Sequence, residues 1–439
     1  MNDSRLNKKE RAWVLYDVAN SAFVLILTAL LPIYYGSVAR AQEMTEAQIT
    51  AVFGTMLSVS ALLIAIASPV LGAIADNKGM RKKMFLIFLI IGVVACFIFG
   101  LSQSIVYIAV VMAISKLGFQ GSCVFYDSML VDVTTDERMD KVSSAGYAWG
   151  YIGSCAPFIV CLALYVLSSM EIGGKVILPI GSNTAIIIGM MITGAWWFLL
   201  SVPLLRNYEQ LHGVDPTPHQ VRDSFRKIGD TLKHIKDYKE CFMFILAFFF
   251  FINGVTTIIG MSINYAQNVL GADAISSILM VVALLMTQFV AFPFAIIFGK
   301  LADKYSPRWL IMAAIIGYTA ICIYGYFMNS IVDFFILAFF VGLLQGGIQA
   351  LSRSYFAKLV PKDKSNELFG VFDISGKGAA IVGPAFMSLA TIVTNSARWG
   401  IVALIVFFVI GGVILLLIPK NKADLPNLEY KKAQSEEKE

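Results

Sequence analysis

The amino-acid sequence predicts an all-α membrane protein with twelve transmembrane helices in two pseudo-symmetric six-helix halves. Hydrophobic residues make up 58% of the 439 positions and charged residues only 14%, whereas soluble proteins carry about 25% charged residues. The apolar residues are gathered into stretches that can each cross roughly 30 Å of hydrocarbon. One short motif also recurs at the same place in each half.

Twelve apolar stretches are predicted as spans. The polar residues 205–240, with seven Lys and Arg side chains, separate the sixth stretch from the seventh. We expect a first six-helix half at 1–204, a cytoplasmic linker at 205–240, a second half at 241–418 and a cytoplasmic tail at 419–439. The spans are predicted at 12–36, 50–75, 82–101, 104–132, 142–168, 180–204, 241–268, 275–299, 308–328, 332–357, 367–393 and 397–418.

The distribution of Lys and Arg predicts the orientation, because cytoplasmic loops of membrane proteins are enriched in these residues. With the N-terminus inside, the inner segments hold 28 of the 34 basic residues and the outer loops hold three. Both termini are therefore expected in the cytoplasm, in a multi-pass protein of the cell membrane. The other three basic residues lie within spans and are Lys116, Arg353 and Lys377.

A ten-residue motif, G-x-x-A-D-x-x-x-x-R, follows the second span of each half. Two related six-span halves that face each other are typical of transporters that rock between two states. The two copies lie 227 residues apart, and their shared residues are Gly72, Asp76 and Arg81 in the first copy and Gly299, Asp303 and Arg308 in the second.

This motif resembles the loop signature G-x-x-x-D-x-x-G-R-[KR] of the major facilitator superfamily. The first copy departs from it at Gly79-Met80-Arg81-Lys82, and the second copy lacks the second glycine. The resemblance implies a twelve-helix facilitator fold in which spans 1, 4, 7 and 10 line the cavity.

A narrower resemblance, from span 1 to span 11, is to the "unknown major facilitator" branch, which includes the yeast autophagy-linked vacuolar amino-acid effluxer. It implies amino-acid export, although this chain departs from the branch at Asp127 and Asn253. The matching residues are Trp13, Tyr16-Asp17, Asn20-Ser21-Ala22, Phe125-Tyr126, Ser144, Gly146, Gly150-Tyr151-Ile152-Gly153, Gly254, Thr257-Ile258, Gly347, Gln349 to Ser354, Phe369-Gly370 and Gly376-Lys377.

The repeated motif supplies candidate residues for a cytoplasmic gate. Glycine permits close helix approach because it has no Cβ, and a carboxylate can cap the N-terminus of a neighbouring helix. The functional interpretation is a latch that forms when the cytoplasmic side is closed, and the alternative is that the basic loops only fix the topology. The candidate gate residues are Gly72, Asp76, Arg81, Asp127, Gly299, Asp303, Arg308 and Arg353.

Charged side chains within spans are candidates for a substrate or ion cavity, because a charge in the bilayer centre costs about 2.5–3.5 kcal/mol and usually faces a cavity or a partner. Three acids within the spans balance three bases. Zero net charge favours a zwitterionic or neutral solute, but internal ion pairs give the same count. Lys116 with Gln120 also loosely resembles the superfamily's span-4 motif for proton coupling.

Uncharged polar side chains extend the candidate cavity. Gln345 and Gln349 are four residues apart and share a helix face. For any single amide, the alternative is an interhelical hydrogen bond worth about 0.6 kcal/mol. The candidate cavity residues are Asp17, Asn20, Lys116, Gln120, Tyr126, Asn253, Gln345, Gln349, Asp373 and Lys377.

The residue types argue against an enzyme. No predicted span contains His, the six Cys residues form no C-x-x-C pair, and the glycines around Lys377 do not fit a phosphate-binding loop. We expect no catalytic residue, no metal and no cofactor.

The expected function is secondary active transport of a small polar solute, most plausibly an amino acid, by alternating access. We expect a small-molecule substrate, protons as the coupling ion, a lipid bilayer around the protein, no nucleic acid and a monomer. The alternatives are an exporter of drug-like or lipid-like compounds, favoured by the aromatic content, and a non-transporting receptor or scaffold.

Overall fold

The computed structural model describes residues 5–172, 175–215, 238–271 and 274–429. These residues form twelve long helical rods, and the first, fourth and twelfth rods are each broken at one residue. The rods are α1 (Lys8–Ala29 and Leu31–Ala41), α2 (Glu46–Ala75), α3 (Met80–Ile98), α4 (Ile105–Ser128 and Leu130–Val133), α5 (Met139–Ser169), α6 (Ser182–Asn207), α7 (Lys239–Leu270), α8 (Ala274–Leu301), α9 (Pro307–Tyr326), α10 (Ile331–Leu359), α11 (Ser365–Thr394) and α12 (Ala397–Ala403 and Ile405–Leu417).

The remaining regular structure is small. A two-stranded antiparallel hairpin, β1 (Glu171–Ile172) and β2 (Lys175–Val176), joins α5 to α6. Short 3-10 turns at Asp136–Arg138, Lys362–Lys364 and Lys422–Asp424 lie beside the rods. The prediction of an all-helical chain is therefore confirmed.

Most rods suit a bilayer. Among the described residues, ten are long and apolar enough to cross a membrane. The other two are α2, which supplies the apolar stretch Ile66–Ala75, and α3, which opens with Arg81-Lys82-Lys83 before its apolar run. Basic residues at a helix end fit a span that begins at the membrane surface.

Local sequence signals set the ends of several rods. Asn7 and Glu10 form a capping box at the start of α1, and Ser330 and Asp333 form one at the start of α10; each box satisfies N–H groups that the helix leaves free. Gly79 lies between α2 and α3 with φ at 78°. Because this left-handed conformation suits glycine, the chain turns there within a few residues.

Both described ends of the chain lie on one face of the helical bundle, here called the terminal face. Arg138, between α4 and α5, binds the N-terminal segment there, since its guanidinium donates to the carbonyl of Arg5 and to Glu10. Lys358 lies close by and donates both to Asp140, at the start of α5, and to Asn427 near the other end of the chain. The 76–80 loop and residues 208–215 also lie on this face, where Asn77 and Val214 form a bridge.

Rods α1 to α6 pack mainly on one another, as do α7 to α12, and the two groups meet along two seams. In one seam α2 packs against α11, and in the other α5 packs against α8 and α10. A Cβ added at Gly72 would collide with the backbone oxygen of Asn366, so glycine lets α2 and α11 touch. The predicted linker 205–240 falls largely on 216–237, outside the described residues.

Candidate functional site

A cavity of about 370 Å³ lies at mid-depth between the two groups of rods. Polar and charged side chains from α1, α4, α5, α8, α10 and α11 form most of its wall. Six of the predicted cavity residues line it, and three others, Lys116, Asn253 and Gln345, do not. The lining residues that were predicted are Asp17, Asn20, Gln120, Tyr126, Gln349 and Asp373, and two predicted gate residues, Asp127 and Arg353, line it as well.

Arg353 forms the floor of this cavity on the terminal side. Its Nη2 lies 3.0 Å from Oδ2 of Asp17, and its Nη1 lies 3.0 Å from Oδ1 of Asp127. The guanidinium also lies between two rings, 4.5 Å from the ring centroid of Trp13 and 4.3 Å from that of Tyr147. A delocalised, weakly hydrated cation suits such a site, because it can bind carboxylates and stack on rings at once.

This cluster joins the two halves, since Arg353 lies on α10 and its partners lie on α1, α4 and α5. Arg353 also donates to the hydroxyl and the backbone oxygen of Ser143, and the Ser143 hydroxyl donates to the Ala350 carbonyl. Farther from the terminal face, the hydroxyl of Tyr151 donates a hydrogen bond to Gln349 at 3.1 Å. The contacts between the halves therefore run from the terminal face to mid-depth.

A second pocket of about 220 Å³ adjoins the first and shares Asp127, Arg353 and Asp373 with it. Ile252 and Thr256 of α7 line this pocket. Gly260 and Asn264 continue the same helix stripe toward the face opposite the terminal face, and both are exposed. A Cβ at Gly260 would meet no atom within 4 Å. The site is thus closed at the terminal face, and α7 carries exposed positions toward the other side.

The charge of the cavity differs from the sequence-based balance. Among the described side chains, three carboxylates and one guanidinium line the two pockets. Lys116 is half-buried in α4 and lines neither pocket. The side chain of Lys377 lies outside the described residues. The described walls of the cavity are therefore formally acidic.

Two predicted cavity amides lie inside the second half. Asn253 is fully buried, and its amide donates to the Phe249 carbonyl at 2.6 Å. Gln345 lines a separate, mainly apolar cavity of about 50 Å³ among α7 to α12. These positions suit interhelical packing better than contact with a solute in the central cavity.

The first copy of the repeated motif crosses the seam between α2 and α11. The carboxylate of Asp76 accepts hydrogen bonds from the backbone N–H of Asn366 at 2.9 Å and of Glu367 at 3.0 Å, and from the Asn366 amide at 2.8 Å. It thus caps the N-terminus of α11 from the other half, where an anion is favoured by the helix dipole. Burial raises the pKa of Asp76 to about 6, against the lowering effect of Arg81 and of these hydrogen bonds.

Arg81 is fully buried beneath this cap. It lies 3.6 Å from Asp76 and 2.5 Å from Asp132, and it donates to the hydroxyl of Ser365 on α11 at 2.8 Å. Asp132 in turn accepts from Tyr208 and from the backbone N–H of His212. The gate therefore includes the segment that follows α6.

The second copy of the motif makes different contacts. Its Gly299 packs on Ser144 of α5, as Gly72 packs on α11. Asp303, however, accepts from the amide of Asn427 at 3.1 Å, and Arg308 lies 2.7 Å from Asp424. In this copy the charged residues bind the chain segment after α12 instead of the other half.

Two further contacts between the halves at the terminal face are not apparent from the sequence. Lys358 lies 2.6 Å from Asp140 across the α5–α10 seam, and both side chains are fully buried. Ser354 also donates to Asp140. Both Lys358 and Asp140 lie in predicted loops, just outside the predicted spans. A basic residue in a loop is interpreted as a signal of membrane topology. The ion pair becomes apparent only because the fold brings these two loops together.

Comparisons with known proteins agree with this architecture. A family model described as "Vacuole effluxer Atg22 like" matches residues 6–137 and 131–425. A relative from Bacillus subtilis (strain 168), described as the uncharacterized MFS-type transporter YxiO, is 41% identical over 420 residues, which cover 95% of this chain and 96% of that protein. Autophagy-related protein 22 of Saccharomyces cerevisiae (strain YJM789) is 25% identical over 304 residues, and the match covers 60% of this chain but only 54% of the yeast protein.

Among solved structures, the proton:xylose symporter XylE, crystallised with 6-bromo-6-deoxy-D-glucose, superposes with a TM-score of 0.69. The match has 12% sequence identity and covers 98% of this chain and 99% of that one. At this identity the likeness shows the fold alone. The relatives and neighbours are transporters, not enzymes, and the protein is a multi-pass integral membrane protein. The chain belongs to the Atg22-like family of the major facilitator superfamily, a class of secondary transporters that move small molecules across membranes.

Proposed function

We propose that this transporter moves an amino acid by alternating access and couples the movement to protons. We further propose that it acts as a monomer in the cell membrane with both termini in the cytoplasm, so that the terminal face is the cytoplasmic gate. The family description, "Vacuole effluxer Atg22 like", points to efflux from a vacuole.

The observation that carries the proposal is the chemistry of the central cavity. Asp17, Asp127 and Asp373 lie on its walls with Arg353. A carboxylate can bind the ammonium group of an amino acid, and a guanidinium at the floor can bind its carboxylate. The volume of about 370 Å³ lies near the lower end of the range of about 300–1,000 Å³ for ligand pockets, which favours a small solute.

Proton coupling is supported by the position of Asp17. Its ion pair with Arg353 joins the two halves, so the terminal face opens only when this pair separates. Protonation of Asp17 would remove the charge that holds Arg353. A single residue that both pairs across the seam and faces the cavity can link proton uptake to the change of state.

The aromatic residues that favoured an exporter of apolar compounds mostly pack on one another. Phe244, Phe248, Phe356 and Phe372 stack with centroid separations between 4.1 and 6.4 Å. Trp149 of α5 packs edge-on against Phe292 of α8, in the seam between these two helices. Most of the side chains that line the central cavity are polar or charged, which favours a polar solute.

The proposal is tested with purified protein. A thermal-shift screen against amino acids, peptides, sugars and lipids is expected to show stabilisation by one or more amino acids. In proteoliposomes, an imposed pH gradient is then expected to drive accumulation of the same amino acid. Stabilisation only by apolar compounds would overturn the substrate class, and uptake indifferent to the gradient would overturn proton coupling.

A further inference from the structure

A separate cavity of about 840 Å³ opens on the outer side of the α5–α8 seam, at the terminal face. Its rim carries four basic side chains, two from each half. Arg138 and Lys141 come from the start of α5, and Lys300 and Lys304 come from the end of α8. The transport cycle proposed above uses none of them.

The rim is more basic than acidic. Glu137 and Asp303 are the acids that line it, and Arg138 pairs with Glu10 at 2.7 Å. Lys300 and Lys304 are exposed and have no ion pair within 4 Å among the described residues. Two exposed ammonium groups therefore remain available to an anion.

A buried polar atom also lines this cavity. The side chain of Ser144 is about 1% exposed, and its hydroxyl has no hydrogen-bond partner in the described structure. It lies between α5 and Gly299 of α8. Burial of a hydroxyl without a partner is unfavourable, and a ligand oxygen that reached Ser144 would supply the missing hydrogen bond.

Below the basic rim the cavity is apolar. Trp149 follows Lys141 by two helical turns on the same stripe of α5, about 12 Å deeper in the bilayer, and it is 49% exposed. Ile297 of α8 lies opposite and is 42% exposed. A basic rim above an exposed indole and an aliphatic wall has the polarity of a phospholipid that lies against the protein.

We propose that this cavity binds an anionic phospholipid from the leaflet at the terminal face, with Lys300 and Lys304 at its phosphate and Trp149 along its acyl chain. A soluble phosphate would use the basic rim but gain nothing from the apolar wall. Because the walls come from both halves, a bound lipid bridges the α5–α8 seam and stabilises the closed terminal face. This inference concerns lipid binding and stands apart from the identity of the transported solute.

The test uses the full-length protein in nanodiscs of phosphatidylcholine with increasing amounts of phosphatidylglycerol that carries brominated acyl chains. Bromine quenches nearby indoles, and the Trp149 signal is isolated by subtracting the Trp149→Phe variant. We expect quenching of wild-type Trp149 to saturate at a low mole fraction of the anionic lipid. In the Lys300→Gln/Lys304→Gln variant the half-saturating fraction is expected to rise about 30-fold, since each of the two basic residues contributes about 1 kcal/mol.

The control variant Lys83→Gln/Lys420→Gln removes the same charge from exposed positions elsewhere on the terminal face. Its half-saturating fraction of the anionic lipid is expected to equal that of the wild type. Brominated phosphatidylcholine diluted into the unbrominated lipid is expected to give no saturable quenching. Equal quenching by brominated phosphatidylglycerol and brominated phosphatidylcholine would overturn the proposal. An equal rise of the half-saturating fraction in the two double variants would overturn it as well. Complete displacement of the lipid by millimolar inorganic phosphate would overturn the assignment to a lipid and leave a soluble anion as the ligand.

Discussion

Arg353 of α10 and Asp17 of α1 form an ion pair across the two halves, with 3.0 Å between Nη2 and Oδ2. The same guanidinium binds Asp127 and stacks between Trp13 and Tyr147. The pair forms the floor of the central cavity and is also one of the contacts that close the terminal face. A change in the charge of Asp17 therefore acts on the cavity and on the gate together.

Asp17→Asn tests the proposed role in proton coupling. The amide keeps a hydrogen-bond acceptor for Arg353 but has no titratable proton. In proteoliposomes we expect this variant to retain solute exchange and to lose accumulation driven by a pH gradient. Ser21→Ala, a neutral change in the same wall, is expected to retain both activities, and full gradient-driven accumulation by Asp17→Asn would contradict the role.

Arg353→Gln tests the energetic importance of the cluster. Removing one partner of a buried ion pair typically costs 3–5 kcal/mol, about the loss we expect here, because the other charge is left unpaired. The free energy of unfolding in mild detergent measures the loss. Adding Asp17→Asn to Arg353→Gln is expected to recover part of it, and strictly additive effects of the two changes would show that the residues are not coupled.

The sequence predicts the helices well because lipid imposes a simple rule. Each span must satisfy its own backbone hydrogen bonds and present apolar side chains, so rods such as α6 and α12 are apparent from composition. The resemblance to a known family adds the expected cavity helices, of which α1, α4 and α10 line the central cavity through residues such as Asp17, Asn20 and Gln349, whereas α7 lines only the adjoining pocket.

The pairing of charges was not predictable in the same way. Asp127 and Arg353 are 226 residues apart, and nothing in their spacing shows that they meet. The repeated motif also suggested two equivalent latches, whereas only Asp76 caps a helix of the other half. Asp303 instead binds Asn427 from the end of the chain, a contact that depends on where the segment after α12 folds.

This asymmetry gives a matched pair of variants. In Asp76→Asn, one of the two carboxylate oxygens becomes an NH₂ group that cannot accept the hydrogen bond from an N–H donor of α11, whereas a protonated carboxyl group keeps two oxygens with lone pairs. The closed gate therefore loses part of its cap in the variant but not on protonation. We expect several-fold slower transport with substrate affinity largely unchanged. Asp303→Asn is expected to have a smaller effect, because Asp303 accepts from a side-chain amide within its own half. Equal transport rates for Asp76→Asn and wild type would reject the latch.

The pKa of Asp76 predicts a pH dependence of the gate. In the closed state this pKa is about 6, above its ordinary value of 3.8, and in an open, hydrated gate it should return toward the ordinary value. Between about pH 4 and 6 the closed state therefore binds more protons, so acidification favours closure and a rise in pH through 6 weakens it. A shift of two units changes the open–closed equilibrium by at most about 100-fold.

Distances between spin labels at positions 83 and 420 on the terminal face would measure this equilibrium in a background without native cysteines. Lowering the pH from 7 to 5 is expected to increase the fraction with the short, closed distance. The Asp76→Asn variant should lose most of this dependence. An increase in the open fraction on acidification would contradict the assigned sign.

Gly72→Ala tests whether close helix contact is required for closure. A methyl group at this position would collide with the backbone oxygen of Asn366 in the closed state, whereas nothing opposes it once α2 and α11 separate. Overpacking typically costs about 1–3 kcal/mol, so the spin-label distances should shift toward the open gate and transport should slow. Gly260→Ala adds the same methyl group to α7, at a position where the new Cβ would have no other atom within 4 Å. This variant is expected to leave the gate equilibrium unchanged. If both variants shift the gate equally, the effect comes from helix propensity and not from the α2–α11 contact.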